Sequence, residues 1–124
     1  VGSLALDASV TIALFSEVDA HHAQAVADVN AAADRDDELL MAASAYSEIL
    51  VHALRQGRGD FVDKFIDQLR VEIVPVDRGI AHRAAELRAE HGALRLPDAL
   101  VLATAQLRDA QLLTFDDRLS QLYS

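Results

Sequence analysis

Apolar residues in this chain follow two rhythms. Some form short unbroken runs, and others recur every three or four positions over longer segments. Ser3-Leu4-Ala5-Leu6 is a short apolar run ending at Asp7 and predicts a first strand, with a short helix from Ser9 to Phe15 behind it. His21 to Ala33 is alanine-rich and predicts a helix ending in the charged loop Asp34-Arg35-Asp36-Asp37. Leu39-Leu40-Met41-Ala42 predicts a second, buried strand. Ser44 is placed to cap the next helix, which runs to about Gln56 and stops at Gly57. Asp60 is placed to cap another, with Phe61, Phe65, Ile66 and Leu69 at helical spacing. Val71-Glu72-Ile73-Val74-Pro75-Val76 alternates and is rich in β-branched residues, so it reads as a third strand. Ile80 to His91 predicts a helix closed by Gly92, and Pro97 opens a strong helix to about Asp109. Gln111-Leu112-Leu113-Thr114 is the last strand, followed by a short helix from Asp117.

Strands alternating with helices predict an α/β fold with a mainly parallel central sheet, right-handed crossovers and helices on both faces. In such sheets the active crevice lies outside the carboxyl ends of the strands. No linker or repeat divides the 124 residues, so a single domain over 1–124 is expected. Hydrophobic residues make up 52% and charged residues 25%, enough for a real core. The absence of cysteine excludes disulfide frameworks, thiolate zinc sites and cysteine nucleophiles. No apolar run approaches the ~20 residues of a membrane span, and the start lacks the pattern of a signal peptide; a cytoplasmic protein with no membrane partner is expected. Twenty acidic residues against 11 basic give a net charge of −9, which repels a polyanion from the surface as a whole. Acids gathered around a cation reverse that sign locally once the cation binds. An aromatic content of 5% argues against a wide base-stacking platform.

Four acids occupy strand-exit or helix-entry positions. Asp7 ends the first strand, Glu48 lies one turn into the helix after the second, Asp98 lies in the first turn of the Pro97 helix, and Asp116 follows Thr114 by two. A parallel sheet gathers such positions on one edge. Each acid taken alone is as well explained as a cap or a complement to the helix dipole. Glu48 and Asp98, however, sit in apolar stretches, Ala45-Tyr46-Ser47-Glu48-Ile49-Leu50-Val51 and Leu96-Pro97-Asp98-Ala99-Leu100-Val101-Leu102, where an acid needs a partner. Several acids on one edge of a cysteine-free chain suit a hard divalent ion with oxygen ligands, Mg²⁺ or Mn²⁺. Histidines compete poorly: His21 and His22 are adjacent and point apart, and His52, His82 and His91 lack a partner at i+4. Ser9 and Ser44 read as caps, because no Ser–His–Asp arrangement is legible.

The blocks Leu4-Ala5-Leu6-Asp7-Ala8-Ser9, Ser47-Glu48, Leu96-Pro97-Asp98-Ala99 and Leu113-Thr114-Phe115-Asp116 resemble the four acidic blocks of PIN-domain nucleases in order, spacing and total length, over nearly the whole chain. The small single-domain form resembles the VapC toxins of bacterial type II toxin–antitoxin pairs. The resemblance implies a PIN-like three-layer sandwich and Mg²⁺- or Mn²⁺-dependent endoribonuclease activity on RNA. It also implies inhibition by a cognate VapB-like antitoxin, and a homodimer. It puts Asp7, Glu48, Asp98 and Asp116 at the family's catalytic, metal-ligating positions, with Asp7 and Asp98 central, and Ser9 and Thr114 at its polar neighbours. Asp117 is a rival for the fourth position. Asp116 is preferred because residues two apart in an extended segment project to the same side, here that of Thr114.

Arg55, Arg58, Arg78 and Arg83 are candidate contacts for RNA phosphates, while Arg88 reads as part of a solvated face. Phe61, Phe65 and Ile66, if exposed, would serve a partner groove or dimer contact. Two other classes stay open. One is an aspartyl-phosphate receiver or phosphatase using Asp7, weakened because Asp7-Ala8-Ser9-Val10-Thr11 lacks a second acid and the lone Lys64 is not near a strand end. The other is a non-catalytic interaction module that keeps the fold and binds an antitoxin-like peptide.

Overall fold

A computed structural model of the protein describes residues 2–123; Val1 and Ser124, the two ends of the expected domain, lie outside the described residues. The elements run β1 (Ser3–Leu6), α1 (Ala8–Phe15), α2 (His22–Asp34), β2 (Glu38–Ala42), α3 (Ala43–Arg55), α4 (Gly59–Leu69), β3 (Glu72–Val74), α5 (Arg78–Glu90), α6 (Leu96–Leu107), β4 (Gln111–Leu113) and α7 (Asp117–Leu122). The strands form one sheet in the order β3-β2-β1-β4. Every pairing is parallel: Ala5 lies opposite Leu40 on β2 and Leu112 on β4, and Met41 opposite Ile73 on β3. Among the described residues no helix is long and apolar enough to cross a membrane.

Alternation along the strands explains why both faces are covered. Leu4, Leu6, Leu39 and Met41 pack with Ala45, Ile49 and Ala53 of α3 and Val62 and Ile66 of α4. The intervening Ala5 and Leu40 pack on the other face with Ile80, Ala84 and Leu87 of α5 and Leu102 and Ala105 of α6. The result is the expected three-layer sandwich, helix on sheet on helix. Leu6, Leu40, Met41, Ile49 and Leu102 are among the largest fully buried side chains, each stabilising the fold by about 1.5–3 kcal/mol. A smaller cluster of Val10, Ala13 and Ala25, with Leu113 and Phe115 against it, ties α1 and α2 to the end of β4. Helix α6 buries Ala99, Val101, Leu102, Ala103, Thr104 and Ala105, so its middle is apolar nearly all round and only its two ends open to the surface.

Several expected boundaries move, each for a local reason. Ser44 does not cap α3. Ala42 holds the N-cap position and the Ser44 hydroxyl lies inside the helix, donating to the Pro97 carbonyl at 3.5 Å. Asp60 does not cap α4 either; Arg58 precedes the helix and Asp60 sits in its first turn, where it still complements the dipole. Helix α5 begins two residues earlier than Ile80, because the Asp77 carboxylate accepts the Ile80 N–H at 2.8 Å. Strand β3 stops at Val74, since Pro75 has no N–H to give a ladder. Helix α6 ends at Leu107, and Asp109 adopts φ 50° in the turn that returns the chain to β4.

Candidate active site

With strand order β3-β2-β1-β4, the chain steps outward from β1 through β2 to β3, then returns to β4 on the other side of β1. The switch point therefore lies between the carboxyl ends of β1 and β4, where a crevice forms in open parallel sheets. Asp7 stands there. Its N–H continues the ladder to the Leu113 carbonyl at 3.0 Å, and its side chain caps α1. At 6% exposure it is a buried charge. Its Oδ1 accepts the Ala8 N–H at 2.8 Å, and its Oδ2 accepts the Thr114 hydroxyl at 2.8 Å and the Ser9 hydroxyl at 3.1 Å. Those hydroxyls in turn accept backbone N–H groups of the loop after β4, Thr114 from Asp116 at 3.0 Å and Ser9 from Phe115 at 3.2 Å. Ser9, in the first turn of α1, thus bridges Asp7 and the loop after β4, and Asp7 holds the capping position expected of Ser9. The carboxylate uses three of its roughly four acceptor positions within the protein, which fixes its orientation and leaves capacity on Oδ1.

The other acids face this point from neighbouring elements. The Ser44–Pro97 hydrogen bond joins the starts of α3 and α6, which carry Glu48 and Asp98. Partial burial pushes the Glu48 carboxyl above its ordinary range; the charges of Asp98 and Asp7 push the same way, against Arg95. Partial burial also raises Asp98, with Arg95 opposing, Asp7 and Asp116 adding to the rise, and Arg118 opposing. Glu48, Asp98, Asp7 and Asp116 thus share one electrostatic field. Asp116 precedes α7 and caps it, its Oδ1 accepting the Arg118 N–H at 2.9 Å and the Leu119 N–H at 3.3 Å. Asp117 is the first residue of that helix, exposed, and outside the set of charges acting on Asp98.

The donors in this edge are carboxylate oxygens throughout, which suits a hard divalent cation, and the mutual repulsion at Glu48 and Asp98 is what such a cation relieves. Among the described residues no group of three or more acidic or imidazole side chains is placed to hold a metal ion. Two arginines absent from the sequence-based candidates border the acids. Arg95, just before α6, brings Nη2 to 3.7 Å from Glu48 Oε1, and Arg118 donates from Nη2 to the Ala93 carbonyl at 3.0 Å. Their signal was adjacency to two acidic blocks, Arg95-Leu96-Pro97-Asp98 and Asp116-Asp117-Arg118.

The arginines expected to meet phosphate sit elsewhere. Arg83 bonds Gln106 and Gly79 abuts Leu107, so Arg78 and Arg83 lie near the far end of α6, about 12 Å along the helix from Asp98. Arg58 lies over the Phe61 ring at 4.8 Å, Arg55 is exposed in the last turn of α3, and Arg88 donates to the Leu94 carbonyl. Of the expected partner-groove residues, Phe61 is half-exposed, Phe65 partly buried and Ile66 buried; a groove of ≈ 160 Å³ between α1, α3 and α4 is lined by Phe15, Ile49, His52 and Phe61.

Residues 4–124 match the family model of the PIN domain. Comparison with curated proteins returns no match. Among solved structures, the chain superposes on a toxin–antitoxin complex from Klebsiella pneumoniae with a TM-score of 0.76 at 26% identity, covering 94% of this chain and 88% of that one. It superposes on VapC20 of Mycobacterium tuberculosis, a sarcin–ricin loop cleaving toxin, with a TM-score of 0.77 at 18% identity, covering 96% and 94%. VapBC2 from Rickettsia felis, bound to a DNA fragment from its promoter, gives 0.77 at 14% identity, covering 96% and 92%.

Proposed function

The chain belongs to the PIN domain family, and from that premise we propose that it is a divalent-ion-dependent endoribonuclease, the VapC-like toxin of a type II toxin–antitoxin pair. The observation that carries the reading is the buried Asp7 carboxylate at the switch point, oriented by Ser9 and Thr114 and sharing its field with Glu48, Asp98 and, through Asp98, Asp116. Asp7 and Asp98 would hold the ion, with Glu48 and Asp116 completing the acidic ring. When bound there, Mg²⁺ or Mn²⁺ supplies charge neutralisation at a phosphodiester and a lowered pKa for water. Asp7 contributes a direction that does not have to be found at the moment of reaction, because its hydrogen bonds are already made. Glu48, which the ion would not need as a central ligand, is the carboxylate left to accept a proton from the attacking water. Arg95 and Arg118 border the ring where phosphate oxygens of the strand would lie.

The partner follows from the same surface. A basic segment of a VapB-like antitoxin would pair with the acids and exclude the ion, and the exposed Val51, Leu54 and Phe61 of α3 and α4 offer apolar area for the antitoxin or for a second copy of the chain. The test is cleavage of RNA by purified, antitoxin-free protein. Activity is expected with Mg²⁺ or Mn²⁺ and none in EDTA, and Asp7→Asn and Asp98→Asn are each expected to abolish it while leaving the fold intact. Cleavage that persists in chelator would remove the metal from the mechanism, and near-full activity in either variant would remove that residue from the centre.

A further inference from the structure

The loop between β4 and α7 carries a feature that the acidic ring does not use. The imidazole of His21 stacks on the ring of Phe115, with centroids 4.4 Å apart and planes 14° from parallel. Phe115 stands between the two residues that tie this loop to the acids, Thr114, which donates to Asp7, and Asp116, whose charge acts on Asp98. Its own N–H is held by the Ser9 hydroxyl, and its ring packs against the Val10, Ala13 and Ala25 cluster. The lower half of the stack is therefore rigid and keyed to Asp7 through one hydroxyl. The upper half is open: His21 is exposed, and since one imidazole face is covered by Phe115, the exposure falls on the other face and the edge. The ring is not needed to start α2, because the His21 side chain makes no capping hydrogen bond; the backbone N–H of His21 is anchored instead to Asp19 Oδ1 at 2.8 Å.

A preformed flat surface of this kind, one residue from Asp116 and linked to Asp7 through the Ser9 hydroxyl, has the chemistry of a stacking site for a nucleobase. We propose that His21, backed by Phe115, is the base-stacking platform of this protein, receiving one unpaired base of a single-stranded RNA and thereby setting the position of the backbone over the acidic ring. The proposal rests on the RNA reading given above. It is consistent with the low aromatic content, because it asks for one base rather than a run of them. Stacking tolerates any base, since each has a π-face, so the platform fixes register more than sequence. It also supplies affinity that the net charge of −9 denies to a purely phosphate-gripping surface.

The experiment uses the whole protein with short single-stranded RNAs carrying 2-aminopurine at successive positions. Binding is followed by stopped-flow quenching in Mg²⁺, and cleavage by steady-state KM and kcat. One position is expected to be quenched by the unmodified protein. His21→Ala should lose that quench and raise KM by about five- to a hundredfold, the range of a single stacked base, with kcat changed much less. His21→Trp and His21→Phe should restore both readouts, which a merely structural role for the imidazole would not do. If the unmodified protein cleaves and His21→Ala keeps its quench and its KM, the platform is overturned and the nuclease reading stands. If the protein binds with a His21-dependent quench but cleaves nothing, the platform stands and the nuclease reading falls. Neither quench nor cleavage overturns both.

Discussion

Three hydrogen bonds and the first turn of α1 surround the Asp7 carboxylate, and two of the three come from side-chain hydroxyls that also accept a backbone N–H of the loop after β4. Thr114→Val keeps the shape of the side chain and deletes both the 2.8 Å hydrogen bond to the buried Asp7 carboxylate and the acceptor of the Asp116 N–H, which together are expected to cost about 1.5–3 kcal/mol, read as a lower urea midpoint at constant slope. The same change frees the Asp7 rotamer and should lower the cleavage rate more than Ser9→Ala, whose bond is longer at 3.1 Å. Glu48 behaves in the opposite sense. Its carboxyl is raised above the ordinary range in the folded protein by partial burial and by Asp98, so its ionisation destabilises the metal-free fold above that folded pKa, and the cost is relieved as pH falls through it. Glu72 is lowered by its Arg108 partner, so its contribution is present above the unfolded pKa and is lost as pH falls through the folded one. Glu48→Gln is therefore expected to raise the melting temperature of the metal-free protein at neutral pH, with the gap closing on acidification into the carboxylate range. Saturating Mg²⁺ should then stabilise the unmodified protein more than the variant, because the ion binds the folded acids. Thermal melts of both proteins with EDTA and with Mg²⁺ check the inversion; a Glu48→Gln protein less stable than its parent in EDTA would contradict it.

Helix ends do two jobs in this fold, capping and carrying site charge. Asp116 both caps α7 and bears on Asp98, so two substitutions pull the roles apart. Asp116→Asn keeps an accepting oxygen for the Arg118 and Leu119 N–H groups and removes only the charge, and is expected to lose cleavage with little loss of stability. Asp116→Ala loses both and should cost about 1 kcal/mol more. Asp117→Asn, at an exposed first-turn position, should leave the rate near that of the parent; a larger loss at Asp117 than at Asp116 would reverse the assignment. At the opposite ends of three helices, the returns from α2, α4 and α6 to β2, β3 and β4 pass through Asp36, Arg70 and Asp109 at φ 60°, 54° and 50°, a region glycine occupies without strain. Asp36→Gly and Arg70→Gly are each expected to hold or raise the urea midpoint, against the usual penalty for glycine. Order and type of the elements were legible because each strand is a short apolar run and each helix keeps its period. The caps were less so: Ser44 and Asp60 have the right chemistry two residues too late, and Asp77 was hidden behind Arg78-Gly79, which carry no apolar period. The placement of the four candidate carboxylates on one edge was legible because strand ends and helix starts fix it, whereas the bonds of Ser9 to Phe115 and of Thr114 to Asp7 and the approach of Arg95 to Glu48 join segments more than forty residues apart, which no local pattern encodes.

For the molecule as a whole, a net charge of −9 repels the polyanion it is proposed to cut and attracts the partner proposed to silence it. The acids at the switch point concentrate that field where Asp7, Asp98 and Asp116 lie, with Arg95 and Arg118 the cations on the border. An antitoxin with a basic segment would gain from both: long-range attraction brings it in, and an arginine paired bidentately with one of these carboxylates would displace the ion from its ligands. Two measurable consequences separate this from simple steric cover. Association of the antitoxin should slow steeply as salt rises, because it is steered by the field, while dissociation changes little. Mg²⁺ and the antitoxin should also compete, each weakening the apparent affinity of the other by the same factor, as linkage requires of two ligands for one set of acids. The complex co-purified with the neighbouring gene product is the material for the test, with RNA cleavage, ion binding and association rates read at several salt concentrations. Inhibited cleavage, reduced Mg²⁺ affinity and a salt-sensitive on-rate are expected together. A complex that cleaves RNA as fast as the free protein would remove the inhibitory role, and one that is inactive yet binds Mg²⁺ as tightly as the free protein would move the partner away from the acids to a surface such as the α1–α3–α4 groove.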